Sequence, residues 1–285
     1  MRWTNYHGHC NYCDGKGRIE DYVIKALELN MAAIGISSHA PVPFATDWTM
    51  PGDKLQSYLQ EVDDLKEKYK GQIKILKALE VDFIPDVLSP AHESIRSSEL
   101  DYTVGSIHFL DQLNDGTRWA IDGPADEFQL GLKEIFKDDI KQAVLRFYEL
   151  TRKMIRTAKP DIIGHMDKIK MHNKTFNLFD ENEQWYKDEV RKTMELLAQE
   201  GVIVEINTKA FYRTGLLFPG PEHFSLLKEL NIPVTINSDA HHPDKLINGF
   251  EEVAQLLKEA GIHQVHEFID GKWQAVEFEK EGILL

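Results

Sequence analysis

The 285-residue sequence predicts an α/β barrel. Three observations point there. Short β-rich runs alternate with amphipathic segments at helical spacing, giving seven strand–helix units. The strands are apolar along their length, as expected of a parallel sheet covered by helices. Six of the seven strands end with, or just before, a His, Asp or Glu. Barrels gather their functional side chains at the C-terminal strand ends, so this pattern favours a closed barrel over an open sheet.

The first strand ends near Tyr6 and His7, and apolar spacing predicts a helix over 19–29. The second strand, 33–36, leads into Ser37-Ser38-His39. A loop holding Pro41, Pro43 and Pro51 precedes a predicted helix over 54–69. The third strand, 73–81, carries Glu80, and the fourth, 102–107, delivers His108. Residues 109–137 read as irregular, too long for an ordinary connection and so a candidate active-site lid. Ile140, Val144, Phe147, Thr151, Met154 and Ile155 repeat at helical spacing and predict a long helix ending near Ala158, closed off by Pro160. The fifth strand, 161–164, ends on His165. A helix over 183–199 stops at Gly201, a fitting C-terminal cap. The sixth strand is 202–207, a helix follows over 222–230, and the seventh strand, 234–237, runs into Ser238-Asp239-Ala240-His241. A last helix over 251–260 precedes a hairpin of 265–268 and 273–278, split by Asp270-Gly271.

No repeat, linker or low-complexity stretch divides the chain, so residues 1–285 are expected to form one domain. With 33 Lys and Arg against 47 Asp and Glu, the net charge of −14 disfavours long contact with a nucleic acid. A small phosphorylated substrate needs only a locally positive pocket, which metal ions can supply. Residues 1–7 hold no apolar signal core and no stretch could span a bilayer, so a cytoplasmic location is expected and no membrane partner. The oligomeric state is not readable. Cys10 and Cys13 form a lone C-x-x-C without the second pair of a closed zinc site, and read as two small side chains beside the first strand end.

His7 and His9 stand at i and i+2, which on a strand share one face, so both rings can reach one cation. Asp14 follows in a Gly-rich turn. His39, His108 and His165 each follow an apolar strand, and Asp239 and His241 repeat the i, i+2 arrangement at the far end of the chain. Glu80, flanked by Leu79 and Val81, should point inward, where a lone carboxylate needs a partner such as Lys77 or a metal. One ion takes about four to six ligands, so nine candidates call for two or three. The abundance of imidazole suits zinc, manganese or iron rather than calcium or magnesium. Glu80 is the natural bridge, with two oxygens against one free nitrogen on an imidazole. His92, His172, His223, His242, His263 and His266 lack strand-end placement and read as loop or surface residues.

Taken in order, His7-x-His9, Ser38-His39-Ala40, Glu80-Val81-Asp82, Ser106-Ile107-His108-Phe109, Gly164-His165-Met166-Asp167 and Ser238-Asp239-Ala240-His241 resemble the successive motifs of the PHP (polymerase and histidinol phosphatase) superfamily. The resemblance implies a distorted (β/α)7, TIM-like barrel with a trinuclear site at its C-terminal rim. It would place one metal on His7, His9, Glu80 and Asp239, a second on Glu80, His108 and His165, and a third on Asp14, His39 and His241. Within the superfamily the chain is most similar to the histidinol-phosphate phosphatases. The supporting stretches are residues 9–15, residues 105–110 followed by Trp119-Ala120-Ile121-Asp122, and Glu205-Ile206-Asn207-Thr208. The family's phosphate contacts are basic residues after strands five and six, which matches Lys168 or Lys170 and Arg213.

The expected reaction is direct attack on phosphorus by a hydroxide that the metals activate, since bound water can fall in pKa from about 15.7 to about 7. Glu80 and Asp239 would organise the ions, and Arg213 would neutralise the non-bridging oxygens. Asp111, Asp115, Asp122, Asp126 and Glu127 offer an acidic wall for a cationic amine, or a solvated loop. The alternatives are a related phosphoesterase acting on nucleotides, short nucleic acids or phosphotyrosine, a metal-binding scaffold without catalysis, and an amidohydrolase-like deaminase or amidase.

Overall fold

A computed structural model describes residues 2–284. Seven strands pair in parallel in the order β1 (Thr4–Asn5), β2 (Ala33–Ile36), β3 (Lys74–Asp82), β4 (Tyr102–Ser106), β7 (Ile162–Ile163), β8 (Ile203–Asn207) and β9 (Val234–Asn237). The ends of this sheet meet. Gly8 and Ala240 form a parallel bridge, with His9 N donating to Ala240 O at 2.8 Å and Ala240 N to His7 O at 3.2 Å. The result is a nearly closed (β/α)7 barrel, and the two chain ends supply its seam. The α-helices Ile19–Glu28, Leu55–Lys68, Ile140–Ala158, Gln184–Glu200, Phe224–Glu229 and Phe250–Glu259 follow the predicted spacing within a few residues.

Local signals set the helix limits. Asp139 accepts from Gln142 N at the start of Ile140–Ala158, and Pro160 follows the left-handed Lys159 at its end. Gly201, at φ 66°, caps Gln184–Glu200. The predicted helix over 222–230 is shorter than expected. Pro221–His223 makes a 3-10 turn first, and its proline fixes the first φ without needing a hydrogen bond.

The barrel interior below the site is filled by Tyr6, Leu76, Ala78, Tyr102, Val104, Ile162 and Ile203. The terminal hairpin closes that end, as β10 (Gln264–Ile269) pairs with β11 (Lys272–Glu279), and Phe268 and Trp273 pack on the interior layer. Its tip, Asp270 and Gly271, is left-handed at both residues, which is the tight-turn geometry its sequence suggested. β12 (Gly282–Ile283) completes this small sheet.

The stretch 109–137 is ordered rather than irregular. β5 (Phe109–Gln112) and β6 (Arg118–Ala120) form an antiparallel pair, and Ala125–Phe136 is a helix lying on them. Trp119 is buried against Phe128 and Phe136 at centroid distances of 5.3 and 5.8 Å. The helical spacing was hidden because its central contact position is Gly131, where an added Cβ would lie 2.2 Å from the Trp119 ring. A glycine there reads as a breaker, yet it is what lets the helix approach the indole. Among the described residues no helix is long and apolar enough to cross a membrane.

Candidate metal centre

Glu80 sits at the middle of the barrel mouth, 1% exposed. Its Oε2 lies 3.2 Å from His7 Nε2, 3.5 Å from His9 Nε2 and 2.9 Å from His39 Nδ1. Oε1 lies 3.0 Å from His165 Nε2 and 3.6 Å from His108 Nε2, and accepts from Ser106 Oγ at 2.6 Å. Lys77, the alternative partner, instead pairs with Asp63 at 2.7 Å. Asp239 Oδ1 lies 3.1 Å from His9 Nε2 and 3.3 Å from His241 Nδ1. Asp14 reaches His241 Nε2 at 3.1 Å and His39 Nε2 at 3.8 Å. The fold therefore brings all nine residues singled out in the sequence to one place.

Strand geometry explains the convergence. Eight of the nine are carried on, or just beyond, the C-terminal end of a barrel strand, Asp14 sits in the turn that follows His9, and β2 continues to pair past its end, where His39 bridges Glu80. Two of the nine adopt backbone that non-glycine residues avoid: His165 at φ 25° and Asp239 at φ 46°. Such strain persists where the surroundings over-determine it. Gly164 precedes His165 for a steric reason, since a Cβ there would lie 2.4 Å from Ser106 Oγ, the hydroxyl that holds Glu80.

The donor atoms form overlapping groups. Those of His9, Asp14, His39 and His241 lie within 4.8 Å of one another, as do those of His7, His9 and Asp239, and of His39, Glu80 and His108. His7 Nε2, His9 Nε2, His39 Nδ1, Glu80 Oε2 and His165 Nδ1 are buried without a hydrogen-bond partner. Buried polar atoms are nearly always satisfied, so orphans concentrated on one carboxylate mark a place built for a cation. Charges agree with this. Burial alone would raise Glu80, but His7, His39 and His108 hold its carboxyl well below the usual range. Asp239 is likewise opposed by burial and held well down by Lys209 and His7. Burial lowers His9, and the neighbouring His241 and His39 add to that, favouring the neutral ring that can ligate.

Two carboxylates stand behind the imidazoles. His108 Nδ1 lies 3.0 Å from Asp82 Oδ1, and although burial lowers His108, Asp82 together with Glu80 and Asp122 pushes it up to about 9. His7 Nδ1 lies 2.5 Å from Glu205 Oε2. Neither acid was given a role from sequence, although each stands two residues from another polar strand residue, Glu80 and Asn207, and so on the same face.

The basic residues are distributed differently from expectation. Lys168 is buried and pairs with Asp122 at 3.3 Å, and Asp122 lies 3.9 Å from His108 Nε2. Lys170 points away, to Asp167 at 2.8 Å and Glu222 at 2.5 Å, because two residues further along the 3-10 turn its side chain faces the other side. Arg213 is exposed on the turn Phe211–Thr214, and its side chain makes no hydrogen bond or ion pair among the described residues. The cation at the mouth after the sixth strand is Lys209, whose Nζ lies 3.2 Å from Asp239 Oδ1 and 3.1 Å from His241 Nε2.

A cavity of about 320 Å³ covers the centre, with Trp48, Asp122 and Lys209 among its walls. A second of about 630 Å³ shares Asp47, Trp48, Ala120 and Glu127 with it. Of the expected acidic wall, Asp122 and Glu127 face the cavity, whereas Asp111 pairs with Arg146 at 3.1 Å and Asp115 accepts from Thr117 N. Trp48 is a wall that sequence reasoning missed. Its ring lies 4.6 Å from that of His39 and stacks on Phe109 at 5.3 Å. Two histidines expected in loops or at the surface are buried: His172 against Phe128, and His223 beside Asp167.

Barrel and donor set together define an α/β barrel with an imidazole- and carboxylate-rich mouth. Residues 5–209 match the PHP domain, and the chain belongs to that family. It is 24% identical over 260 residues to the histidinol-phosphatase of Bacillus subtilis, which covers 85% of this chain and 94% of that one. A Listeria monocytogenes crystal structure assigned as a histidinol phosphatase superposes with a TM-score of 0.76 at 23% identity, over 87% of this chain and 99% of that one. The histidinol phosphate phosphatase of Lactococcus lactis, in complex with zinc, L-histidinol and phosphate, superposes with a TM-score of 0.68 at 17% identity, over 100% and 99%.

Proposed function

We propose that the chain is a histidinol-phosphate phosphatase, hydrolysing L-histidinol phosphate to L-histidinol and phosphate at a centre of two or three divalent ions. The observation that carries this reading is the ring of unpartnered imidazole and carboxylate atoms around Glu80. The Bacillus and Lactococcus relatives, alike over almost the whole of both chains, bear that activity in their names.

The residues fit the metals. His7, His9, Glu80 and Asp239 would hold one ion, Glu80, His108 and His165 a second, and Asp14, His39 and His241 a third. Mixed imidazole and carboxylate donors suit zinc, manganese or iron. When bound, such ions lower the pKa of water to about 7 and neutralise phosphoryl oxygens.

The protein's own groups do the rest. Lys209 lines the cavity over the centre and can neutralise a phosphoryl oxygen, and Asp122, which lines it too, holds Lys168 behind the wall. Trp48 and Glu127, on the helix Ala125–Phe136, line the mouth. Asp47 and Glu127, at the junction of the two cavities, have no ionic partner among the described residues and can receive a cationic leaving group.

A nucleotide or nucleic-acid substrate is the second reading, and Trp48 is the feature that favours it, as an aromatic face on which a base could stack. The acidic junction and the charge of −14 weigh against it. Turnover of histidinol phosphate, a nucleoside 3′,5′-bisphosphate and a short oligonucleotide by the metal-loaded protein tests the choice. Preference for histidinol phosphate supports the proposal, and preference for either nucleotide substrate overturns it.

A further inference from the structure

Glu205 is 0% exposed on β8 and gathers four polar groups on its two oxygens. Oε1 accepts from Asn207 Nδ2 at 2.7 Å and from the backbone N of His165 at 3.2 Å. Oε2 accepts from Asn237 Nδ2 at 3.1 Å and lies 2.5 Å from His7 Nδ1. The two amides are oriented by other contacts. Asn237 Oδ1 accepts from Tyr6 N at 2.8 Å and Asn207 Oδ1 from Lys209 N at 3.0 Å, so both present their NH2 groups to Glu205. Three of the four partners are therefore fixed donors. A carboxylate can accept from all of them and from His7 as well, whereas a carboxamide offers only one accepting oxygen.

With Nδ1 as the fourth donor, the lone pair of His7 is on Nε2, which faces Glu80 Oε2 at 3.2 Å and Asp239 Oδ1 at 3.8 Å. Asn207 extends the network, since its Nδ2 also donates to Asp239 Oδ2 at 3.1 Å. One buried acid thus contacts His7 directly, His165 through its backbone and Asp239 through a shared amide. Asp14, His39 and His241 have no contact with Glu205 among the described residues.

We infer that Glu205 is a positioning residue that fixes the tautomer of His7 and presets His7 and Asp239 as a pair, so that it governs the affinity of the metal position they share and leaves the position of Asp14, His39 and His241 unaffected. The inference rests on the metal centre proposed above. Carboxylates behind metal-binding histidines orient the ring and raise its basicity, and losing one weakens metal binding by roughly 10- to 100-fold.

Full-length protein stripped by a chelator and back-titrated with zinc against a chromophoric indicator reads each equivalent separately. In Glu205→Gln, at least one equivalent should weaken by about 10- to 100-fold while at least one keeps wild-type affinity, and equal weakening of every equivalent overturns the inference. Unchanged affinity for every equivalent overturns the inference. A wild type that takes up no zinc overturns the metal centre itself, and the inference with it. Should the variant fail to fold, histidine ¹⁵N NMR of the zinc-loaded wild type still decides. A proton on His7 Nδ1 supports the assignment, and a proton on Nε2 refutes it.

Discussion

At the scale of single residues, Glu80 concentrates the chemistry. Among the described residues it is the one group within 3.6 Å of five imidazoles, which come from four different strand ends. Glu80→Gln removes the shared negative charge while keeping the shape, and should cut turnover by about a thousandfold or more with an unchanged circular dichroism spectrum. Lys209 and Arg213 separate in the same assay. Lys209→Ala should lower kcat/KM by roughly 10- to 100-fold, as expected for a lost charge-assisted hydrogen bond, and Arg213→Ala should leave it unchanged. Eight of the nine candidate ligands were legible because each lies at or just past the end of a strand, where its polarity is conspicuous, whereas Asp14, in a Gly-rich turn, was legible only through the family resemblance. Lys209 was not legible. Thr208-Lys209-Ala210 has no pattern distinguishing it from Arg213, and only the direction of the chain after β8 does so.

At the scale of elements, the terminal hairpin and the helix Ala125–Phe136 each carry a consequence. Glu267 on β10 is buried at the barrel base, where its Oε2 accepts from the Tyr6 hydroxyl at 2.6 Å. Burial pushes its carboxyl up to about 7, against an ordinary 4.5. The folded value lies above the unfolded one, so stability is fully present below about pH 4.5 and is lost as the pH rises to about 7. The full loss is about 3 kcal/mol. Glu267→Gln keeps an acceptor for Tyr6 without ionising. Its stability advantage in urea should be larger at pH 8 than at pH 5, and a constant difference would contradict this account. For the helix, Gly131→Ala adds a methyl against Trp119 in a packed contact. A glycine-to-alanine change inside a helix ordinarily stabilises by up to about 1 kcal/mol, but here overpacking should reverse the sign and destabilise by about 1–3 kcal/mol, read as a lower urea midpoint. The regular helices were legible from their periodicity and caps. The hairpin and helix within 109–137 were not, because their contact depends on one glycine and one tryptophan meeting across a turn.

At the scale of the whole molecule, the barrel joins residues from opposite ends of the chain, since the Gly8–Ala240 bridge closes the sheet. That closure followed from counting strand–helix units and noting where polar residues fell. Its side walls did not, because Trp48 and Asp47 come from a Pro-rich loop whose path no periodicity fixes. Lys209 lines the cavity, as do Asp47 and Glu127, carboxylates without an ionic partner among the described residues. Asp47→Asn with Glu127→Gln should therefore raise KM for histidinol phosphate while leaving unchanged that for a phosphomonoester without a cationic group, such as p-nitrophenyl phosphate.

The central claim is that cations are shared at this mouth between the first and last strands of the barrel. Anomalous diffraction from crystals of the zinc-loaded protein tests it most directly. The account predicts two or three peaks around Glu80, one of them bonded at about 2.0–2.2 Å to His7, His9 and Asp239. A barrel mouth without anomalous signal, or zinc held only by the separate Asp167, Glu222 and His223 cluster, would contradict it.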